Sequence, residues 1–282
     1  MLSLSKSSMP NWRPTDYLDR KGNPSIHIAG NHGYVSKFDD KNREIERTWL
    51  DTDGKPVELN DKIARWSSEY DERGREISRR FFDASLKPAL GTGGFHRKAC
   101  TFDDAGNETS RSFFDVEDKP VGIEFGMHCW VAKYEVNNNM LEKAFFDTDL
   151  KPIAHPEGNH RFVNVFDEAV HLVSVAYFGI RGGPVLWNGE YHKQVTHFDG
   201  EFDTSESWFG VSGEPINNVN GFHKMETVYD DKGRRELLTF SGPDGKEAAK
   251  LGFRTMKITY HPDLAGKVVD VQHFVESGKP AQ

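Results

Sequence analysis

Six of the twelve histidines occupy one recurring position in this sequence. They are His32, His96, His128, His160, His192 and His223, and five of them complete a Gly-x-His step: Gly30/His32, Gly94/His96, Gly126/His128, Gly158/His160 and Gly221/His223. His192 keeps the imidazole without the glycine, Gly252/Arg254 keeps the glycine without the imidazole, and Ala64 breaks the column. A row of imidazoles can bind a metal or another ligand, or it can pack and hydrogen-bond a neighbouring turn. If each repeat adds two strands to one sheet, equivalent residues lie about 9.5 Å apart, twice the strand spacing. Zinc holds its nitrogen ligands at about 2.0–2.1 Å, so two such histidines cannot share an ion. If one solenoid turn takes one repeat, the spacing falls to about 4.8 Å and the rings can ladder. Packing is the favoured reading, and neither a metal site nor a cofactor is assigned.

Three other groups carry chemistry. Asp51-x-Asp53, Asp115-x-Glu117 and Asp147-x-Asp149 offer oxygens of the kind calcium takes, but they lack the full EF-hand loop, and Asp opening a turn bonds local N–H groups on its own account. Phe81/Phe82, Phe113/Phe114 and Phe145/Phe146 put adjacent rings on opposite faces of a strand, one for the core and one to be covered by a loop or left to stack on sugar or peptide. The stretch 166–216 departs from its neighbours: Val170 and Phe202 stand where the turn glycine is expected, Gly179 and Gly210 replace Asp, and Leu172, Val173, Val175, Val185, Leu186 and Trp187 add apolar bulk. Any ligand-binding surface is placed there, at Trp187, Tyr191, His192 and Trp208. Catalytic signatures are absent: there is no His-Glu-x-x-His, Gly-x-Ser-x-Gly, P-loop or Gly-x-Gly-x-x-Gly. No catalytic residue is assigned. Cys100 falls on a column of small residues and is expected to be buried, while Cys129 falls on the other face of its strand, so the two are poor disulfide partners.

These residues are positioned by a repeat. An aromatic-acid step begins at 38, 70, 102, 134, 166, 198 and 229, and Tyr260-His261 holds its place at 260, spacings of 32, 32, 32, 32, 32, 31 and 31. A second motif runs in phase, from Trp49-Leu50-Asp51 to Pro56, Phe81-Phe82-Asp83 to Pro88, Phe113-Phe114-Asp115 to Pro120 and Phe145-Phe146-Asp147 to Pro152, with looser copies ending at Pro184, Pro215, Glu247 and Pro280. Alternation over His96, Lys98, Cys100 and Phe102 is that of a half-buried strand. Each unit therefore reads as two strands joined by a tight turn, with Gly74, Gly106 and Gly233 at the position that needs a positive φ. The expectation is an all-β chain of about 15 to 18 short strands with little helix. Tandem 32-residue β-hairpin repeats would form an extended or curled antiparallel sheet, a solenoid-like array or a closed ring. Residues 1–9 read as an N-terminal tail and 10–282 as a single repeat domain: a half-repeat over 10–37, which holds the half-copy Tyr17-Leu18-Asp19 to Pro24, then about eight units.

Composition fits burial by aromatic ladders: hydrophobic residues are only 36% of the chain but aromatics are 12%, and mean hydropathy is −0.68. A net charge of −8 argues against nucleic acid as a partner. No apolar run approaches about 18 residues, so membrane insertion by a helix is not expected. No signal peptide is visible, which leaves the cytoplasm as the default compartment.

Tyr70-Asp71-x-x-Gly74 and Phe102-Asp103-x-x-Gly106, each trailed by Phe-Phe-Asp and Lys-Pro, resemble tandem repeats of uncharacterised bacterial proteins with a Tyr-Asp-x-x-Gly-Asn and Tyr-Phe-Asp-x-x-Gly-Lys-Pro consensus. That resemblance covers roughly residues 10–282. The turn element alone is more distantly similar to the YD repeats of RHS proteins, whose hairpins coil into a sheet that can form a shell around a toxic cargo. The period here is longer, and no terminal toxin region is visible. The resemblance carries over no catalytic residue. Three functional readings follow: a non-catalytic β-repeat scaffold binding a protein or glycan, a hydrolase with a His/Asp site in 166–216, or a structural shell segment of a toxin-associated RHS-like protein.

Overall fold

The computed structural model describes residues 12–246, 248, 251–262, 266–275 and 277–281. The tail expected at 1–9 and the motif end at Glu247 lie outside the described residues. The chain is all-β. Its strands are β1 (Trp12–Asp16), β2 (Gly33–Phe38), β3 (Glu44–Leu50), β4 (Arg65–Tyr70), β5 (Glu76–Phe82), β6 (Arg97–Phe102), β7 (Glu108–Phe114), β8 (Cys129–Tyr134), β9 (Met140–Phe146), β10 (Arg161–Phe166), β11 (Leu172–Phe178), β12 (Lys193–Asp199), β13 (Phe202–Phe209), β14 (Lys224–Tyr229), β15 (Arg235–Ser241), β16 (Thr255–Tyr260) and β17 (Val268–Phe274). Among the described residues the only helical element is a 3-10 turn at Glu124–Gly126. Strands pair antiparallel in hairpin order, and among the registers of the described residues β17 pairs with β16 while β2 pairs with β1 and β3.

The chain divides into two compact units, residues 1–132 with 145–153, and residues 133–144 with 154–282. In the first, the β4–β5 hairpin runs in register from Arg65↔Phe82 to Ser68↔Arg79 and Tyr70↔Glu76. The pairing of β5 with the next hairpin is shorter, from Ser78↔Ala99 to Arg80↔Arg97. A bulge precedes the strand-ending aromatic at Lys37/Phe38, Glu69/Tyr70 and Thr101/Phe102. In the second unit the bulge recurs at Val165/Phe166, His197/Phe198, Val228/Tyr229 and Thr259/Tyr260. The extra residue strengthens local twist and fixes register, because a one-residue slip would turn every side chain to the wrong face.

Each unit has an aromatic zigzag. In the first, Phe95 lies between Phe81 and Phe113, with ring centroids 5.7 and 4.8 Å away. In the second, Phe222 lies between Trp208 and Phe240 at 5.4 and 4.9 Å, and Phe253 continues from Phe240 at 5.8 Å. Around it a core forms from Tyr191, Trp208, Phe222, Leu238, Phe240 and Ala248. The second ring of such a step is capped where Arg97 sits 3.7 Å over Phe114 and His128 meets it edge-on, and likewise Arg161 sits 4.5 Å over Phe178, after Tyr177, with His192 at its edge.

The period breaks in turns and loops. Where the repeat shortens after 198, the link is a two-residue turn at Gly200 and Glu201 beyond the pair Asp199↔Phe202. Other hairpin turns hold their left-handed position with Gly74 (φ +85°), Gly106 (φ +101°) and Gly233 (φ +72°) or with Asn42 (φ +61°) and Asn138 (φ +66°), but at Val170 the same conformation is forced on a β-branched residue (φ +73°). Relieving that strain is worth about 1–2 kcal/mol, partly offset by the extra freedom of glycine in the unfolded chain. Val170→Gly should therefore raise stability by about 1 kcal/mol in urea unfolding, and Gly74→Val should lower it by at least as much.

Candidate functional site

The histidine column is a set of seats on the preceding hairpin. In the first unit His96 donates its backbone N–H to Phe114 O (2.8 Å) and accepts Phe81 N–H (2.9 Å). Its Nδ1 lies 2.6 Å from Phe81 O, which also accepts Ala89 N–H at 3.1 Å. A carbonyl can only accept, so Nδ1 carries the proton. The ring meets Phe82 edge-on, centroids 5.4 Å apart at 83°. In the second unit His192 and His223 repeat the arrangement, with Nδ1 2.7 Å from Tyr177 O and from Trp208 O. Their rings meet Phe178 and Phe209 edge-on. His32 uses Nδ1 on Ser25 O at 3.0 Å. His128 and His160 are buried in the same place, 4% and 8% exposed. Where the column holds Ala64 or Arg254, the backbone bonds persist, Trp49 N–H to Ala64 O and Phe240 N–H to Arg254 O.

The acids that open turns face into their own turns. Asp51 Oδ1 accepts the N–H groups of Asp53 and Lys55, Asp115 those of Glu117 and Lys119, and Asp147 those of Asp149 and Lys151. The second acid of each pair lies against a lysine, Asp149 with Lys151 at 2.9 Å and Asp53 with Lys55 at 3.6 Å. In the other turn Asp71 accepts Arg73 N–H and Arg75 N–H at 2.9 Å each and pairs with Arg75 Nε at 2.6 Å, while Arg75 Nη1 reaches Asp103 O in the next turn at 2.5 Å. Arg43 makes the same reach to Asp71 O at 2.9 Å. Among the described residues no group of three or more His, Cys, Asp or Glu is arranged to hold a metal ion.

Sequence reading passed over one column that the structure makes prominent. Glu44-x-x-Arg47, Glu76-x-x-Arg79 and Glu108-x-x-Arg111 recur at the repeat period, and each is a local ion pair at 2.6 to 2.8 Å. Ser36 and Ser68 donate to Glu44 and Glu76. The small column is small because the carboxylate and guanidinium occupy that space, with Arg47 and Arg79 stacked 4.2 and 4.4 Å over Tyr34 and Trp66. In the second unit the residue opposite the small column changes: Val175 pairs with Asn164, Glu206 with Thr196 and Leu238 with Thr227. Burial, then the charge of Asp203, pushes the Glu206 carboxyl above its ordinary range.

The four candidate ligand residues lie in the second unit. Trp187 stacks on Tyr177 at 5.6 Å and packs on Tyr191 at 5.5 Å, and its Nε1 donates to Glu157 Oε2 at 2.9 Å. Tyr191 and Trp208 are only 8% and 7% exposed, within the core. His192 is partly buried and holds Tyr177 O. A shallow groove of about 360 Å³ runs beside it, lined by His192, Lys193, Val195, Phe209, Val211 and Gly213. The structure thus brings Trp187, Tyr191 and Tyr177 together as packed rings.

No family model matches the chain, and no curated protein matches it. Solved structures do. A TcdB2-TccC3-TEV crystal structure aligns with 91% of this chain and 12% of its own at 12% identity, TM-score 0.37. A Photorhabdus luminescens Tc holotoxin pore aligns with 91% of this chain and 12% of its own at 11% identity, TM-score 0.40. A TcdB2-TccC3 crystal structure aligns with 96% of this chain and 16% of its own at 14% identity, TM-score 0.37. The chain therefore spans 12% to 16% of the length of those toxin chains. Among the described residues no helix is long and apolar enough to cross a membrane.

The turn acids make acid stability testable. The backbone N–H of Arg75 holds the Asp71 carboxyl below its ordinary value of 3.8, and the side chains of Asn107 and Arg234 do the same for Asp103 and Asp230. A value depressed by folding means stability that is full above about pH 5 and is lost as pH falls through the depressed value. Urea midpoints of the wild type should fall across that acid window, and Asp71→Asn should flatten the fall. A second check uses Cys100, whose thiol burial and then Glu108 push up to about 11. Both cysteines are free and buried, so at pH 8 alkylation of Cys100 should be slow in the folded chain and fast in urea.

Proposed function

We propose that the chain is a non-catalytic structural scaffold, a β-repeat wall whose chemistry-bearing side chains hold hairpin to hairpin. One observation carries this reading: the imidazole of His96, of His192 and of His223 is spent on a main-chain carbonyl 15 residues upstream. The turn acids and the Glu-Arg pairs support it, because they too bond within the repeat or to the next turn. The burial of Tyr191 and Trp208 favours it over a ligand surface at those rings. The resemblance of the Tyr-Asp-x-x-Gly turn to the YD repeats of RHS proteins, whose hairpins form a shell, accords with it.

Two measurements test the reading. His96→Ala and His223→Ala leave a buried carbonyl short of a donor and should each lower unfolding stability by about 1–3 kcal/mol. Unchanged stability in both would remove the basis of the proposal. Thermal-shift titration with divalent metals and soluble glycans should leave the midpoint in place. A saturable shift abolished by Trp187→Ala would move the function to ligand binding.

A further inference from the structure

The outer edge of β17 repeats the seat that β11, β13 and β15 offer to the strands that follow them. In the interior, Tyr177, Trp208 and Phe240 each donate their N–H to a carbonyl of the following strand segment, His192 O at 2.9 Å, His223 O at 3.0 Å and Arg254 O at 2.7 Å. Tyr177 O and Trp208 O each take a second donor from the incoming imidazole at 2.7 Å. His273 is the equivalent residue in β17. It accepts Ala281 N–H at 2.8 Å as Trp208 accepts Ile216 N–H at 3.1 Å. Among the registers of the described residues β17 pairs with β16 alone, and both sides of β2 are taken by β1 and β3.

The side chains agree with the backbone. Leu238, covered by Met256 of the next hairpin, is 5% exposed, whereas its counterpart Val271 is 42% exposed. The aromatic zigzag ends at His273, whose ring lies 4.3 Å from Phe253. Beside it a groove of about 660 Å³ is lined by Leu251, Phe253, Val271, His273 and Pro280. An edge of unpaired N–H and C=O groups flanked by exposed valine is a template for strand addition.

We infer that this edge binds an extended polypeptide segment that carries Gly-aromatic-His, the chemistry found at Gly94-Phe95-His96 and Gly221-Phe222-His223. The aromatic ring continues the zigzag against His273, the imidazole Nδ1–H takes the open lone pair of His273 O, and the segment's main-chain carbonyl takes His273 N–H. An apolar residue two places after the imidazole, where Met225 stands, covers Val271. The described Gly-aromatic-His segments are already seated on their own hairpins, so the occupant is none of these.

The test is a fluorescence-anisotropy titration of the full chain into a labelled peptide with the sequence of residues 220–231. Saturable binding is expected, weakened at least about tenfold, or 1.4 kcal/mol, by Phe222→Ala in the peptide or by Val271→Lys in the protein. Amide exchange at Val271 and His273 should slow when the peptide is added, which locates the site independently of any variant. Val271 lies on an exposed edge, so its replacement leaves the core intact, and far-ultraviolet dichroism verifies this. Absence of binding up to about 1 mM peptide, equal binding of a scrambled peptide, or protection elsewhere with none on β17 would each overturn the proposal.

Discussion

A carbonyl oxygen has two lone pairs, and at three joints between hairpins one residue uses both. Phe81 O takes Ala89 N–H from its own turn and Nδ1–H from His96. Tyr177 and Trp208 do the same with His192 and His223. The register between hairpins is short, three positions from Ser78↔Ala99 to Arg80↔Arg97, so its ladder bonds alone give a weak joint. The imidazole strengthens it at the end where the strands part, and its ring closes over the Phe that ends the strand. Burying that carbonyl half-satisfied would cost free energy comparable to the bond itself. The position of the turn, the loop length before it and the glycine that starts the Gly-x-His step all serve to deliver one nitrogen to one oxygen.

The two units solve the packing of the small-residue face differently. In the first, Glu44/Arg47, Glu76/Arg79 and Glu108/Arg111 fill the face with ion pairs stacked on aromatic rings. In the second, Val175 and Leu238 stand where arginine stood, and an apolar core collects around Trp208 and Phe222. Glu206 puts a carboxylate where arginine stood, and burial, then the charge of Asp203, makes it hold its proton more tightly.

Much of this was legible in the residues. The period, the two strands per unit, the bulged turn and the glycine of positive φ follow from Tyr-Asp-x-x-Gly and from alternation over His96 to Phe102. The partner of the histidine was not, because every residue owns a carbonyl and the sequence does not mark which one is close. Trp208 and Tyr191 illustrate a different loss. Trp208-Phe209 aligns with Phe81-Phe82, and the first ring of that pair is the inward one, so register assigns Trp208 to the core even though its neighbours diverge. The Glu-x-x-Arg column was visible at the same period but is common on any strand surface, and only the opposed serines give it meaning.

The side-chain links between hairpins span 15 residues from His96 to Phe81, 28 from Arg43 to Asp71 and 32 from Arg235 to Asp203. Nothing in that set waits for a distant part of the chain. A polypeptide emerging from the ribosome makes each hairpin locally and finds its docking surface in the hairpin finished just before. Loop-closure entropy is met in small, equal steps, so a long β protein of this kind escapes the slow search that distant strand pairing imposes. Translation and folding can advance at the same pace, with the unpaired edge always the newest strand.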